Sequence, residues 1–120
     1  MSRISQPKLV EWAANETESD RVAISGGAFG TLLVPAELDG LTLDVLTDYT
    51  DETMLPRSVL TPSAFDGISL LSEPKTLATG ANAFTADEIR EIGAAGFVRF
   101  ELSAAPSASD VVQAVLLWKD

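Results

Sequence analysis

The sequence contains no cysteine and no histidine. Without cysteine there is no disulfide, no thiolate nucleophile and no cysteine-type zinc site. Without histidine the commonest general base and the commonest transition-metal ligand are missing, and a Ser-His-Asp triad cannot be assembled within the chain. Basic residues are scarce: 8 Lys and Arg stand against 18 Asp and Glu, a formal net charge of −10 over 120 residues. The cations Arg3, Lys8, Arg21, Arg57, Lys75, Arg90, Arg99 and Lys119 are scattered, with no two adjacent. Phosphate backbones are bound by clustered Lys and Arg, so no nucleic-acid partner is expected. No apolar run approaches the roughly 18 residues of a membrane-spanning helix. The stretch Met1 to Lys8 lacks the apolar core of a secretory signal. The expectation is a chain made in a cytoplasm, with no membrane partner, no cofactor and no metal. These absences favour a binding or structural role over catalysis.

What is present suits one domain with a single core. Residues 1–19 are mixed and polar, with Ile4, Leu9, Val10 and Trp12 as bulky apolar anchors, and Asn15 to Asp20 has none. This reads as an N-terminal arm and linker ahead of a domain over 20–120. Trp12 has two readings: it folds back on the core, or it docks on a neighbouring subunit, where tryptophan is favoured.

From Asp20 the pattern is that of short strands. Val22 and Ile24 alternate with polar or small residues, and Gly26-Gly27 reads as a hairpin turn before Phe29 to Val34. Leu41, Leu43 and Val45 alternate, as do Val98, Phe100 and Leu102, which predicts strands with one buried face and leaves Arg99 and Glu101 outside. Val111 to Trp118 is apolar throughout except for Gln113, which predicts a central strand or one covered on both faces. Thr85-Ala86-Asp87-Glu88 is a capping box, predicting one short helix near residues 85–93 that ends at Gly93 or Gly96. Turn signals at intervals of roughly 8–12 residues are those of a sandwich or barrel. The expected fold is mostly β, an antiparallel β-sandwich, with jelly-roll and immunoglobulin-like topologies both open.

No motif supplies catalysis. Ser25 to Gly30 is glycine-rich but lacks the Lys and Ser/Thr of a P-loop. Ser72-Glu73-Pro74-Lys75 fits S-x-x-K, but Pro74 opposes the helical turn that would bring Ser72 and Lys75 together. Asp44, Asp48, Asp51 and Glu52 form the densest acidic group, without the spacing of a calcium loop, and read as a solvated acidic loop, with a weak cation site as the alternative. Arg99 suits a cross-strand ion pair or an intersubunit contact.

One resemblance rests on the order of features. Leu32-Leu33-Val34-Pro35-Ala36 is an apolar strand ending in proline. Gly40-Leu41-Thr42-Leu43-Asp44-Val45 is a second strand, followed by the acidic loop Asp48-Tyr49-Thr50-Asp51-Glu52. Gly96 to Ser103 is a third, and Val111 to Lys119 closes the series on a basic residue. Over residues 20–119 this order resembles the small β-sandwich virion proteins of tailed bacteriophages. The loop after Asp48 departs from it by lacking a glycine and an aromatic run. The resemblance implies a non-enzymatic structural protein of the virion, most simply a capsid decoration or cement protein. Its partners would be the major capsid protein or other virion proteins, and it would be a homo-oligomer on the particle. The alternative it implies is a fibre- or tail-associated module that recognises carbohydrate or the host surface. It carries over no catalytic residue. From residue type and expected exposure, the contact residues would be Arg3, Leu9, Trp12, Asp48, Asp51 and Arg99.

Overall fold

Alternation of apolar and polar residues, with side chains pointing to opposite faces in turn, organises most of the chain. The computed structural model describes residues 7–50, 53, 55–56, 59–106 and 110–119. Its strands are β1 (Lys8–Trp12), β2 (Val22–Ala23), β3 (Phe29–Val34), β4 (Thr42–Thr47), β5 (Lys75–Thr76), β6 (Gly80–Ala83), β7 (Phe97–Leu102) and β8 (Val112–Lys119). One helix, α1 (Ala86–Ala95), stands between β6 and β7. The first sheet has the order β1-β8-β3-β6 and the second β2-β7-β4-β5, with antiparallel pairing throughout.

The fold is a mostly-β, two-sheet sandwich, as expected. Within it β1 pairs with β8, β2 with β7, β3 with β6 and β4 with β5. This is one antiparallel ribbon rolled on itself, closed by the β8–β3 and β7–β4 pairings. It is the strand order of a jelly roll, an eight-stranded arrangement in two sheets.

The inner faces make one core. Val10 and Trp12 on β1, Leu32 and Val34 on β3, Leu116 and Trp118 on β8 meet Leu43 and Val45 on β4 and Val98, Phe100 and Leu102 on β7. Trp12 is fully buried, and its indole N–H donates to the Phe100 carbonyl at 3.0 Å, a hydrogen bond from one sheet to the other. Trp118 donates from its indole to the Gly26 carbonyl at 2.8 Å. Its ring leaves no room for a side chain on β3: a Cβ at Gly30 would lie 2.6 Å from Trp118 Cζ3.

Helix α1 begins as the capping box requires. The Glu88 N–H donates to Thr85 Oγ1 at 3.2 Å, and the Thr85 N–H donates to Glu88 Oε1 at 2.7 Å. Ile89 and Ile92 face the core, and Gly96, at φ 82°, ends the helix in the left-handed region that favours glycine. The helix therefore runs past Gly93.

Two expectations are corrected. Gly26-Gly27 does not turn a hairpin, because β2 and β3 belong to different sheets; the segment is a crossover. Residues 8–12 are not an arm, because all five pair with β8 from Lys8↔Leu116 to Trp12↔Val112. The expected linker is also tied down: Ser19 donates from its backbone to Phe100, and Leu102 donates to Thr17, so residues 17–19 extend the edge of the second sheet beside β7. An apolar-poor segment looked unstructured because its order comes from backbone pairing, which leaves no hydrophobic signature.

Trp12→Ala should cost about 3–5 kcal/mol of stability. Trp12→Phe should cost about 1–2 kcal/mol, since the Phe100 carbonyl keeps the Ser19 N–H. Gly30→Ala should cost about 1–3 kcal/mol by overpacking against Trp118. Urea denaturation followed by circular dichroism checks all three.

Candidate functional site

The sandwich presents two broad outer faces of opposite chemistry. On the second sheet, β7 turns Phe97, Arg99 and Glu101 outward, and β4 turns Thr42, Asp44 and Leu46 outward. Arg99 is the hub. Its Nη1 donates to Asp66 Oδ1 at 2.7 Å and to the Thr47 carbonyl at 3.0 Å. Its Nε lies 3.4 Å from Glu18 Oε2, and its Nη1 3.8 Å from Asp48 Oδ1. Asp48 also accepts from Arg21 Nη2 at 3.3 Å, and Arg21 stands over the Phe97 ring at 5.6 Å. The hydrogen bond from Arg99 is the main reason Asp66 is held below the ordinary aspartate range.

Glu101 has the opposite environment. It opposes Asp44 across the β4–β7 pair and Glu18 across an isolated bridge. Burial pushes its pKa up, and the Glu18 carboxylate pushes it further. Asp44 is occupied by Ser69, whose hydroxyl donates to both its oxygens at 2.7 and 2.8 Å. The arrangement joins segments 18–21 and 66–69 to the sheet by mutual pairing, so its polar groups are turned toward one another.

The outer face of the first sheet is apolar. Leu9, Val115, Leu33 and Ala81 form one row across its four strands. Leu117, Thr31 and Ala83 form the next. Among these, Leu9 is 49%, Leu117 40% and Leu33 36% exposed, and Phe29 at the end of β3 is 64% exposed. Among the described residues of these strands, charge on this face stands only at the ends. Glu11 accepts from Gln113 Nε2 at 3.3 Å at one end, and Lys119 Nζ lies 5.6 Å from the Phe29 ring centre at the other. These side chains are neighbours through strand register, so they form one apolar patch rather than scattered single residues.

A pocket of about 240 Å³ lies between α1 and the 26–27 crossover, lined by Gly26, Gly27, Ile89, Arg90, Gly93 and Ala94. That is below the roughly 300–1,000 Å³ of small-molecule sites, and Arg90 is its one titratable group.

The expected contact residues separate. Leu9 lies on the apolar face. Asp48 and Arg99 come together, but in the ion-pair network, each with a side chain 15% exposed. Trp12 lies in the core and offers a partner no surface. Arg3 and Asp51 lie outside the described residues. Phe29, Leu33, Val115 and Leu117 were missed. The run Val111 to Trp118 signals Val115 and Leu117, whereas Phe29 and Leu33 on β3 join them only through register. Strand β8 is central, between β1 and β3. Its inner residues are covered, while Leu117 on its outer face is exposed and Val115 only partly buried.

No family model, curated protein or solved structure matches the chain.

The two carboxylates of the charged face should respond to pH in opposite senses. Folded Asp66 releases its proton more readily than the unfolded chain does, so its stabilisation is present at neutral pH and lost as pH falls through the aspartate range. Folded Glu101 holds its proton to higher pH, so it weakens the fold at neutral pH and ceases to do so as pH falls through its raised pKa toward the ordinary glutamate value. Asp66→Asn should therefore lower the urea midpoint at pH 7, and Glu101→Gln should raise it. Both differences from the parent protein should shrink in acid.

Proposed function

We propose that this is a non-enzymatic structural protein that works by burying the apolar outer face of its first sheet against neighbouring protein in a multi-copy assembly. The observation that carries this reading is the two-row apolar face made by Leu9, Val115, Leu33, Leu117 and their neighbours. Exposing such a surface to water is unfavourable by about 25 cal/mol per Å², and covering it recovers that free energy. Repetition of a modest contact over many symmetric copies raises its effect through avidity.

The assembly we propose is the particle of a tailed bacteriophage, with capsid decoration as the role. The order of sequence features over residues 20–119 is what supports this choice. Jelly-roll sandwiches occur in viral capsid and lectin domains alike, so the strand order by itself does not choose between a virion scaffold and a sugar-binding module. The side chains favour the former. Stacking on a sugar needs a platform of exposed aromatic faces; Trp12 and Trp118 are buried, and the exposed rings are separated, Phe29 on the first sheet and Phe65 beside the second.

Particles banded on a density gradient should carry the protein at a fixed copy number. A Leu33→Asp, Leu117→Asp variant that keeps its circular dichroism spectrum should be depleted from them at least about tenfold. Absence of the parent protein from every particle fraction would overturn the virion reading, and full retention of the variant would overturn the role of this face.

A further inference from the structure

We propose that the outer face of the first sheet pairs with the same face of a second copy of this chain, about a two-fold axis that crosses the strands. This rests on the reading that the face binds protein, and it names the partner.

Charge placement selects the arrangement. Along the face, Glu11 stands at one end and Lys119 at the other, with the two apolar rows between. A two-fold axis between the sheets and perpendicular to the strands lays β8 over β8 and reverses the row order. The Leu9–Val115–Leu33–Ala81 row then meets the Leu117–Thr31–Ala83 row of the second copy, and each Glu11 comes to the end that carries Lys119. Symmetry gives two such acid–ammonium approaches. An axis along the strands would instead bring like-charged ends together. The net charge of −10 opposes this pairing, but part of it lies on the far side of the molecule. The carboxylates of Glu18, Asp44, Asp48, Asp66 and Glu101 belong to the network on the outside of the other sheet. Packed sheets lie about 10 Å apart, beyond the screening length of about 8 Å at physiological ionic strength.

Size sets the strength. At ~4.8 Å between strands and ~3.4 Å per residue, the face is about 20 Å on each side, or ~400 Å² in projection. A standard partner surface is about 800 Å² of accessible area, so the pair belongs with small, transient interfaces. The sequence of β8 fits the same arrangement. Packing one sheet on another buries both faces of a central strand, which is what an apolar run broken only by Gln113 is suited to.

The test is sedimentation equilibrium of the purified protein from about 10 μM to about 1 mM, the range in which a weak dimer is resolved. A monomer–dimer equilibrium is expected. Leu33→Thr with Leu117→Thr keeps strand-favouring residues at both sites and should weaken association at least about tenfold. Glu11→Lys and Lys119→Glu should each weaken it, and the two together should restore it. A protein that stays monomeric throughout, a dimer indifferent to the threonine variant, or a charge swap that fails to restore association would each overturn the proposal. Because only purified protein is used, such a failure leaves particle binding as a separate result. Circular dichroism of every variant confirms that the loss is one of association.

Discussion

Trp12 ties the two sheets together. Its ring fills the space between β1 and β7, and its N–H reaches the Phe100 carbonyl on the opposite sheet. With no cysteine in the chain, no covalent staple shares the task, and the sandwich depends on burial of its inner faces and on polar groups such as this one finding partners. Trp118 acts comparably at the other tryptophan site. It accounts for the absence of a side chain at Gly30, and its bond to Gly26 fixes the crossover that carries the chain from one sheet to the other.

The outer faces divide the remaining work. The second sheet is finished within the chain: Arg99 gathers Asp66, Glu18 and Asp48, and the loops they belong to are drawn onto the sheet. The first sheet has the composition of an interior and the position of an exterior. That contrast, more than any single residue, is the basis for reading the protein as a component of something larger. The acidity then has a physical role. Five of the chain's carboxylates, those of Glu18, Asp44, Asp48, Asp66 and Glu101, stand on the outside of the second sheet, away from the apolar face, where like charge repels a wrong contact.

Much of this was legible in the sequence because alternation reports directly on burial. Val98, Phe100 and Leu102 announced both their strand and its inner face, and Thr85 with Glu88 announced the start of α1. Strand β1 was hidden because five residues are too few for a clear period, and segment 17–19 because backbone pairing has no side-chain pattern. The Gly26-Gly27 turn was misread because a glycine pair fits a hairpin and a crossover equally well; only partner identity separates them. The apolar face was half legible. The run in β8 showed a strand apolar on both sides, but recognising the surface also needs Leu9 and Leu33, which come next to it only through register.

The rolled ribbon also governs how the chain is made. Trp12 and its acceptor Phe100 are 88 residues apart, and among the described residues β1 has no strand partner other than β8. During synthesis the early strands must therefore wait, unpaired, for the late ones to leave the ribosome. Non-local pairing of this kind folds slowly, and the waiting strand edges are exposed to misassembly.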